Sequence, residues 1–158
     1  MIEARGIIKD IKETREKLED LGAGYEGDYS YRDTLFAPRG EMTSLDDDFV
    51  RIRAYSKNNW STKNVILVRK KMLNGIFKQY FDTLKEAEDC FNKNFQRDFE
   101  KSFEFSTDGW QYTLDGLRVY VENVEGLGPS VEIEADTDGE IDRCFTKIGI
   151  VERMPNTK

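Results

Sequence analysis

The chain has 158 residues, 38% of them apolar and 35% charged, which suits one soluble folded domain and offers no apolar run long enough to span a bilayer. Its net charge of −7, from 24 Lys and Arg against 31 Asp and Glu, argues against general nucleic-acid binding, because contact with phosphate backbones needs a cationic surplus. Histidine is absent, so a histidine general base, a Ser–His triad and the usual zinc sites are excluded, leaving carboxylates, lysines and metal-bound water for any chemistry.

No charged-then-apolar leader opens the chain. Cys90 and Cys144 fall in helix-like stretches and read as reduced core thiols of a cytoplasmic protein. Ile2-Glu3-Ala4-Arg5 alternates as a strand. Residues 9–21 then predict a helix, with Ile8, Ile11, Leu18 and Leu21 at helical spacing and Gly22 and Gly24 as the stop. A strand is expected over 25–36, followed by a loop through Pro38, Gly40 and the acidic run Asp46, Asp47 and Asp48. That run lacks the fuller spacing of a calcium loop and reads as solvated.

Residues 49–55 and 62–71 predict a hairpin pair joined by a polar turn around Lys57, Asn58 and Asn59, with a third strand over 76–81. A second helix is expected from Thr83 to Asn94, burying Leu84, Ala87, Phe91 and Phe95. Residues 97–124 read as further strands broken at two turn signals, Thr107-Asp108-Gly109 and Leu114-Asp115-Gly116. A glycine turn at Gly126 and Gly128 leads into Val131-Glu132-Ile133-Glu134-Ala135, which alternates strictly. A third helix over 138–148 buries Ile141, Cys144, Phe145 and Ile148 and closes at Gly149.

Three of these strands carry paired charges two residues apart: Glu132 with Glu134, Glu3 with Arg5, and Arg51 with Arg53. Two carboxylates about 7 Å apart on one strand face pack poorly but cradle a hard divalent cation well. Arg51 and Arg53 on one face make a two-toothed clamp for phosphate oxygens, beside the basic residues Lys63, Arg69, Lys70 and Lys71. The plain alternative is a set of half-buried strands whose charged faces are simply wet.

The pieces I-E-A-R at 2–5, Y-R-D-T-L-F at 31–36, V-R-I-R at 50–53, V-I-L-V-R-K at 65–70 and V-E-N-V-E-G-L-G-P-S-V-E-I-E at 121–134 stand in the order of a known family. Read together, the chain resembles a CYTH domain, the triphosphate tunnel fold of class IV adenylyl cyclases and of thiamine or inorganic triphosphatases. The last piece is the most specific, and the likeness is poorest between about 72 and 116.

The resemblance implies a single CYTH-like domain over 1–158 of α+β class. Its closed antiparallel β-barrel would have a polar interior and flanking helices. It implies metal binding by Glu3, Glu122, Glu132 and Glu134, phosphate binding by Arg5, Arg51, Arg53 and Lys70, and catalytic roles for Glu3 and Lys101. The implied cofactor is Mg²⁺ or Mn²⁺, and the implied partner is a triphosphate-containing small molecule, with a homodimer left open. Met1 stands where the family's first motif glutamate falls, Arg5 replaces its lysine, and Phe103 replaces an arginine after Lys101. Three readings follow: a metal-dependent enzyme that hydrolyses or cyclises a triphosphate, a binder of nucleotide or polyphosphate without turnover, and a structural β domain.

Overall fold

The computed structural model describes residues 1–40, 48–58, 63–71 and 75–154. Its elements are β1 (Ile2–Ile7), α1 (Ile11–Asp20), β2 (Gly24–Pro38), β3 (Asp48–Lys57), β4 (Val65–Lys71), β5 (Gly75–Phe81), α2 (Leu84–Asn94), β6 (Phe99–Leu114), β7 (Leu117–Val124), β8 (Gly128–Ala135), α3 (Asp138–Ile148) and β9 (Glu152–Arg153). Asp46, Asp47 and Asn59 lie outside the described residues.

Each helix starts on a side-chain cap. Asp10 accepts from the Lys12 amide, Thr83 from that of Glu86 and Thr137 from that of Glu140. The Thr83 and Thr137 hydroxyls also donate to the carboxylates of Glu86 and Glu140, which fixes the side chains that cap the first turn. Gly149 takes φ +87° and ends α3 with bonds back to Phe145 and Thr146, a left-handed cap that a side chain would strain.

The strands form one sheet in the order β5-β4-β3-β2-β6-β7-β8-β1-β9. The class is α+β as expected, but the expected closure into a barrel is not found: the order has two ends, β5 and β9. One physical reason is visible at β1. Its second edge is taken by β9, with Gly6 opposite Arg153 and Ile7 opposite Glu152, so at those residues it is not open to another strand. No described helix is long and apolar enough to cross a membrane.

The chain divides into two compact units, Met1–Tyr29 with Thr107–Thr157 as the first and Ser30–Ser106 as the second. In the first, α1 and α3 cover one sheet face, where Leu18, Ile141, Phe145 and Ile148 pack on Tyr112, Val119, Val121, Val131 and Ile133. Burial of such side chains is worth about 1.5–3 kcal/mol each. In the second, α2 supplies Ala87 and Phe91 against Val50, Ile52, Val65 and Leu67. Alternation turns Glu132 and Glu134 in the first unit, and Arg51 and Arg53 in the second, to the face away from the helices, whereas Arg69, opposite Val50, shares the helix side.

Two local departures bear on the site. The turn expected at Thr107-Asp108-Gly109 is not formed, because β6 runs straight through it, and only Asp115 and Gly116 turn the chain. Gly109 serves a distant neighbour instead: a Cβ there would fall inside the Tyr29 ring. In β2, Gly27 takes φ +137°. Tyr25 packs on Tyr112, on the helix side, whereas Tyr29 meets Tyr120 and Glu122 on the opposite side. Regular alternation would place residues 25 and 29 together, so the glycine changes the side that the strand presents. Cys144 is buried and Cys90 half-buried, both as free thiols, and burial pushes the Cys144 thiol up to about 11.

Candidate functional site

In the first unit, ladder registers gather the acidic residues. Across β1 and β8, Glu3 faces Glu134 and Arg5 faces Glu132; across β7 and β8, Tyr120 faces Glu132 and Glu122 faces Ser130. Cross-strand partners share a face, so Glu3, Arg5, Tyr120, Glu122, Ser130, Glu132 and Glu134 form one polar surface. One carboxylate oxygen from each of Glu3, Glu132 and Glu134 lies within 4.8 Å of the others.

Arg5 is tied into this surface at three points. Nη2 donates to Glu122 and to Glu132 at 2.8 Å each, and Nη1 donates to Ser130 at 2.7 Å. The other oxygen of Glu122 accepts from the Tyr29 hydroxyl, so this buried carboxylate is engaged on both sides. Arg118 stands 3.9 Å from Glu134. Burial pushes the Glu132 carboxyl up to about 7; Arg5 opposes the rise, and Glu122, Glu3 and Glu134 add to it. Burial, with Glu134 beside it, pushes the Tyr120 hydroxyl up to about 12.

This donor set fits a hard divalent cation. The three grouped oxygens are carboxylate ligands of the kind that magnesium and manganese take, and the negative charge that raises Glu132 is what a cation would relieve. Glu122 differs from the other three, because Arg5 and Tyr29 hold it.

In the second unit the corresponding face is basic. Arg53 donates two bonds to Asp33, Nε at 2.7 Å and Nη2 at 2.8 Å, and its guanidinium lies 3.8 Å from the Tyr31 ring centre. Burial works against its charge, but Asp33, with Tyr31 and Tyr55, outweighs burial and raises its pKa above the ordinary guanidinium value. For Arg51 the balance is reversed: burial, then the charge of Arg53, lowers its pKa. Its Nε is buried without a hydrogen-bond partner among the described residues. A buried donor of this kind costs about 1–3 kcal/mol until an acceptor reaches it.

Lys70 and Lys78 extend the same face, since Lys70 is opposite Phe49, and Val68 is opposite both Arg51 and Lys78. Lys101 pairs with Glu104, whose other partner is Arg32, and on β6 it alternates in step with residues 103 and 105.

The structure thus groups Glu3, Glu132 and Glu134, places Glu122 and Arg5 beside them, puts Arg51, Arg53 and Lys70 on one face, and pairs Lys101 with Glu104. Sequence reasoning missed Tyr29, Asp33, Ser130 and Lys78. Ser130 was readable, because it continues the 132, 134 alternation; Asp33 alternates with Tyr31 inside a recognised strand.

Comparison with known proteins places this geometry in context. The CYTH domain model matches residues 1–145. No curated protein matches. Among solved structures, a conserved hypothetical protein from Pyrococcus furiosus is 20% identical with a TM-score of 0.75, covering 98% of this chain and 95% of the other. A proposed adenylate cyclase from Vibrio parahaemolyticus is 8% identical with a TM-score of 0.73, over 98% and 92%. A proposed adenylyl cyclase from Hippeastrum, HpAC1, described as having a dominant triphosphatase activity, is 15% identical with a TM-score of 0.66, over 99% and 91%. At these identities the likeness establishes the fold.

Proposed function

This chain belongs to the CYTH domain family, and on that premise we propose that it binds a triphosphate-containing small molecule and processes it with a divalent cation, Mg²⁺ or Mn²⁺. Phosphohydrolysis is the first reading, and cyclisation of the class IV adenylyl cyclase type is the other outcome of the same binding. The observation that carries the proposal is the grouping of Glu3, Glu132 and Glu134 within 4.8 Å, with the Glu132 carboxyl raised to about 7.

Glu3, Glu132 and Glu134 would hold the cation, with Glu122 beside them. When bound, such an ion supplies charge neutralisation on phosphate oxygens and on the leaving group. The remaining work falls to the chain's own residues. Arg5 fixes Glu122 and Glu132 in place, and Tyr29 fixes Glu122 from its other side. Arg51 offers a donor that lacks an acceptor, and Asp33 holds Arg53 as a planar, oriented guanidinium. Lys70 adds a point charge beside them. Loss of one preorganised charge of this kind typically costs about a hundredfold or more in rate.

Binding without turnover is the second reading, and one observation favours it: Lys101, assigned a catalytic role by resemblance, is engaged by Glu104. The test is incubation with ATP, thiamine triphosphate and tripolyphosphate, with magnesium or manganese, and identification of products. Phosphate release selects hydrolysis, and cyclic AMP with pyrophosphate selects cyclisation. Binding with unchanged substrate selects the second reading, and absence of binding defeats both.

A further inference from the structure

Phe103 is 44% exposed on β6, and its ring stacks on that of Phe105 with centroids 5.8 Å apart and planes 24° from parallel. No core cluster includes either ring. Their side of the sheet follows from Arg32, which donates to Glu104 at 2.8 and 3.0 Å and to Ser106 at 2.9 Å. Arg32 is opposite Ala54, which packs on the core beneath α2, so residues 104 and 106 face that side. Alternation turns 103 and 105 the other way, and the stacking of their rings requires that they share a face.

That face is the basic one. In the second unit its rows run from Lys70 on β4, through Arg51 and Arg53 on β3 and Tyr31 and Asp33 on β2, to Phe103 and Phe105 on β6. Two strand spacings separate the guanidiniums from the rings, about 10 Å. A flat ring system joined to a short polyphosphate spans a distance of this order. Stacked rings beside cations, Phe103 exposed and Phe105 half-buried, suit a ligand with a π-face at one end and phosphates at the other.

We propose that Phe103 and Phe105 are a stacking platform for the head group of a triphosphate ester, so that the protein prefers substrates carrying a flat nitrogen heterocycle over inorganic tripolyphosphate. The inference deepens the proposed function and rests on it. The cations recognise what all three compounds share; the platform recognises what tripolyphosphate lacks.

The test is calorimetric binding of ATP, thiamine triphosphate and tripolyphosphate, each with magnesium, to the full chain. The variants are Phe103→Ala/Phe105→Ala, Phe103→Leu/Phe105→Leu, which keeps apolar area without a π-face, and Arg51→Gln/Lys70→Gln. Both phenylalanine variants should weaken the two ring-bearing esters by about tenfold to a hundredfold and leave tripolyphosphate within twofold. The two esters distinguish a nucleobase from a thiamine head group. Equal weakening of all three compounds, or no change in any, overturns the platform. The Arg51→Gln/Lys70→Gln variant should weaken all three. Wild-type protein that binds tripolyphosphate as tightly as the esters defeats the platform alone, whereas wild-type protein that binds none defeats the proposed function and the platform with it.

Discussion

Glu3 stands directly opposite Glu134 across the β1–β8 ladder, a like-charge pair in the position where cross-strand partners interact most strongly. Such a pair is unfavourable by itself and favourable around a cation. Glu3→Gln should therefore raise the stability of the metal-free protein by about 0.2–1 kcal/mol and reduce the shift in melting temperature on adding magnesium. Thermal unfolding with and without the ion checks both signs; a magnesium response equal to wild type removes Glu3 from the metal group.

Glu132 makes this metal dependence sensitive to pH. Burial holds its folded pKa at about 7, above the ordinary carboxylate value of 4.5. Its contribution to stability is therefore fully present below about pH 4.5 and is lost as pH rises through 7, by about 1–3 kcal/mol in the metal-free protein. Cation binding runs the other way, because the ligand must be deprotonated: affinity should fall as pH drops below 7, by up to about tenfold per unit. Denaturant melts of metal-free protein and magnesium titrations, from about two pH units below that pKa to about one above it, should show opposite slopes.

Gly109 gives room to Tyr29. Gly109→Ala should displace the ring and cost about 1–3 kcal/mol, and Tyr29→Phe should cost a comparable amount by leaving one side of buried Glu122 without its donor. If the role is steric, Gly109→Ala should become milder when Tyr29 is Ala. A double-mutant cycle by urea denaturation measures that coupling; strict additivity would refute it.

Buried Asp33 and half-buried Arg53 form a pair with two parallel bonds. Asp33→Asn should destabilise by about 3 kcal/mol because the guanidinium is left without its counter-charge. Adding Arg53→Met should recover most of that loss while weakening tripolyphosphate binding. Denaturation and calorimetry on the same two proteins separate the structural part from the binding part.

Much of the carboxylate group was legible because its cause is local. Alternation over 131–135 fixes which side Glu132 and Glu134 take, and the same rule applied to 2–5 places Glu3. The helices were legible through caps and spacing. What failed had distant causes. Thr107-Asp108-Gly109 carries the chemistry of a turn, yet its glycine answers to a tyrosine 80 residues earlier, as the numbering gives it. Closure of the sheet was inferred from resemblance, and no local pattern reports that β9 takes the edge of β1. Asp33 was passed over because its value depends on Arg53, twenty residues on.

The end of the sheet at β5 has its own consequence. Among the described residues β5 has β4 as its hydrogen-bonded neighbour and exposes Ile76, Phe77 and Tyr80. Lys78 sits at the centre of this strand, so a second copy pairing antiparallel about that point would bring two ammonium groups face to face, a like-charge contact that opposes such pairing.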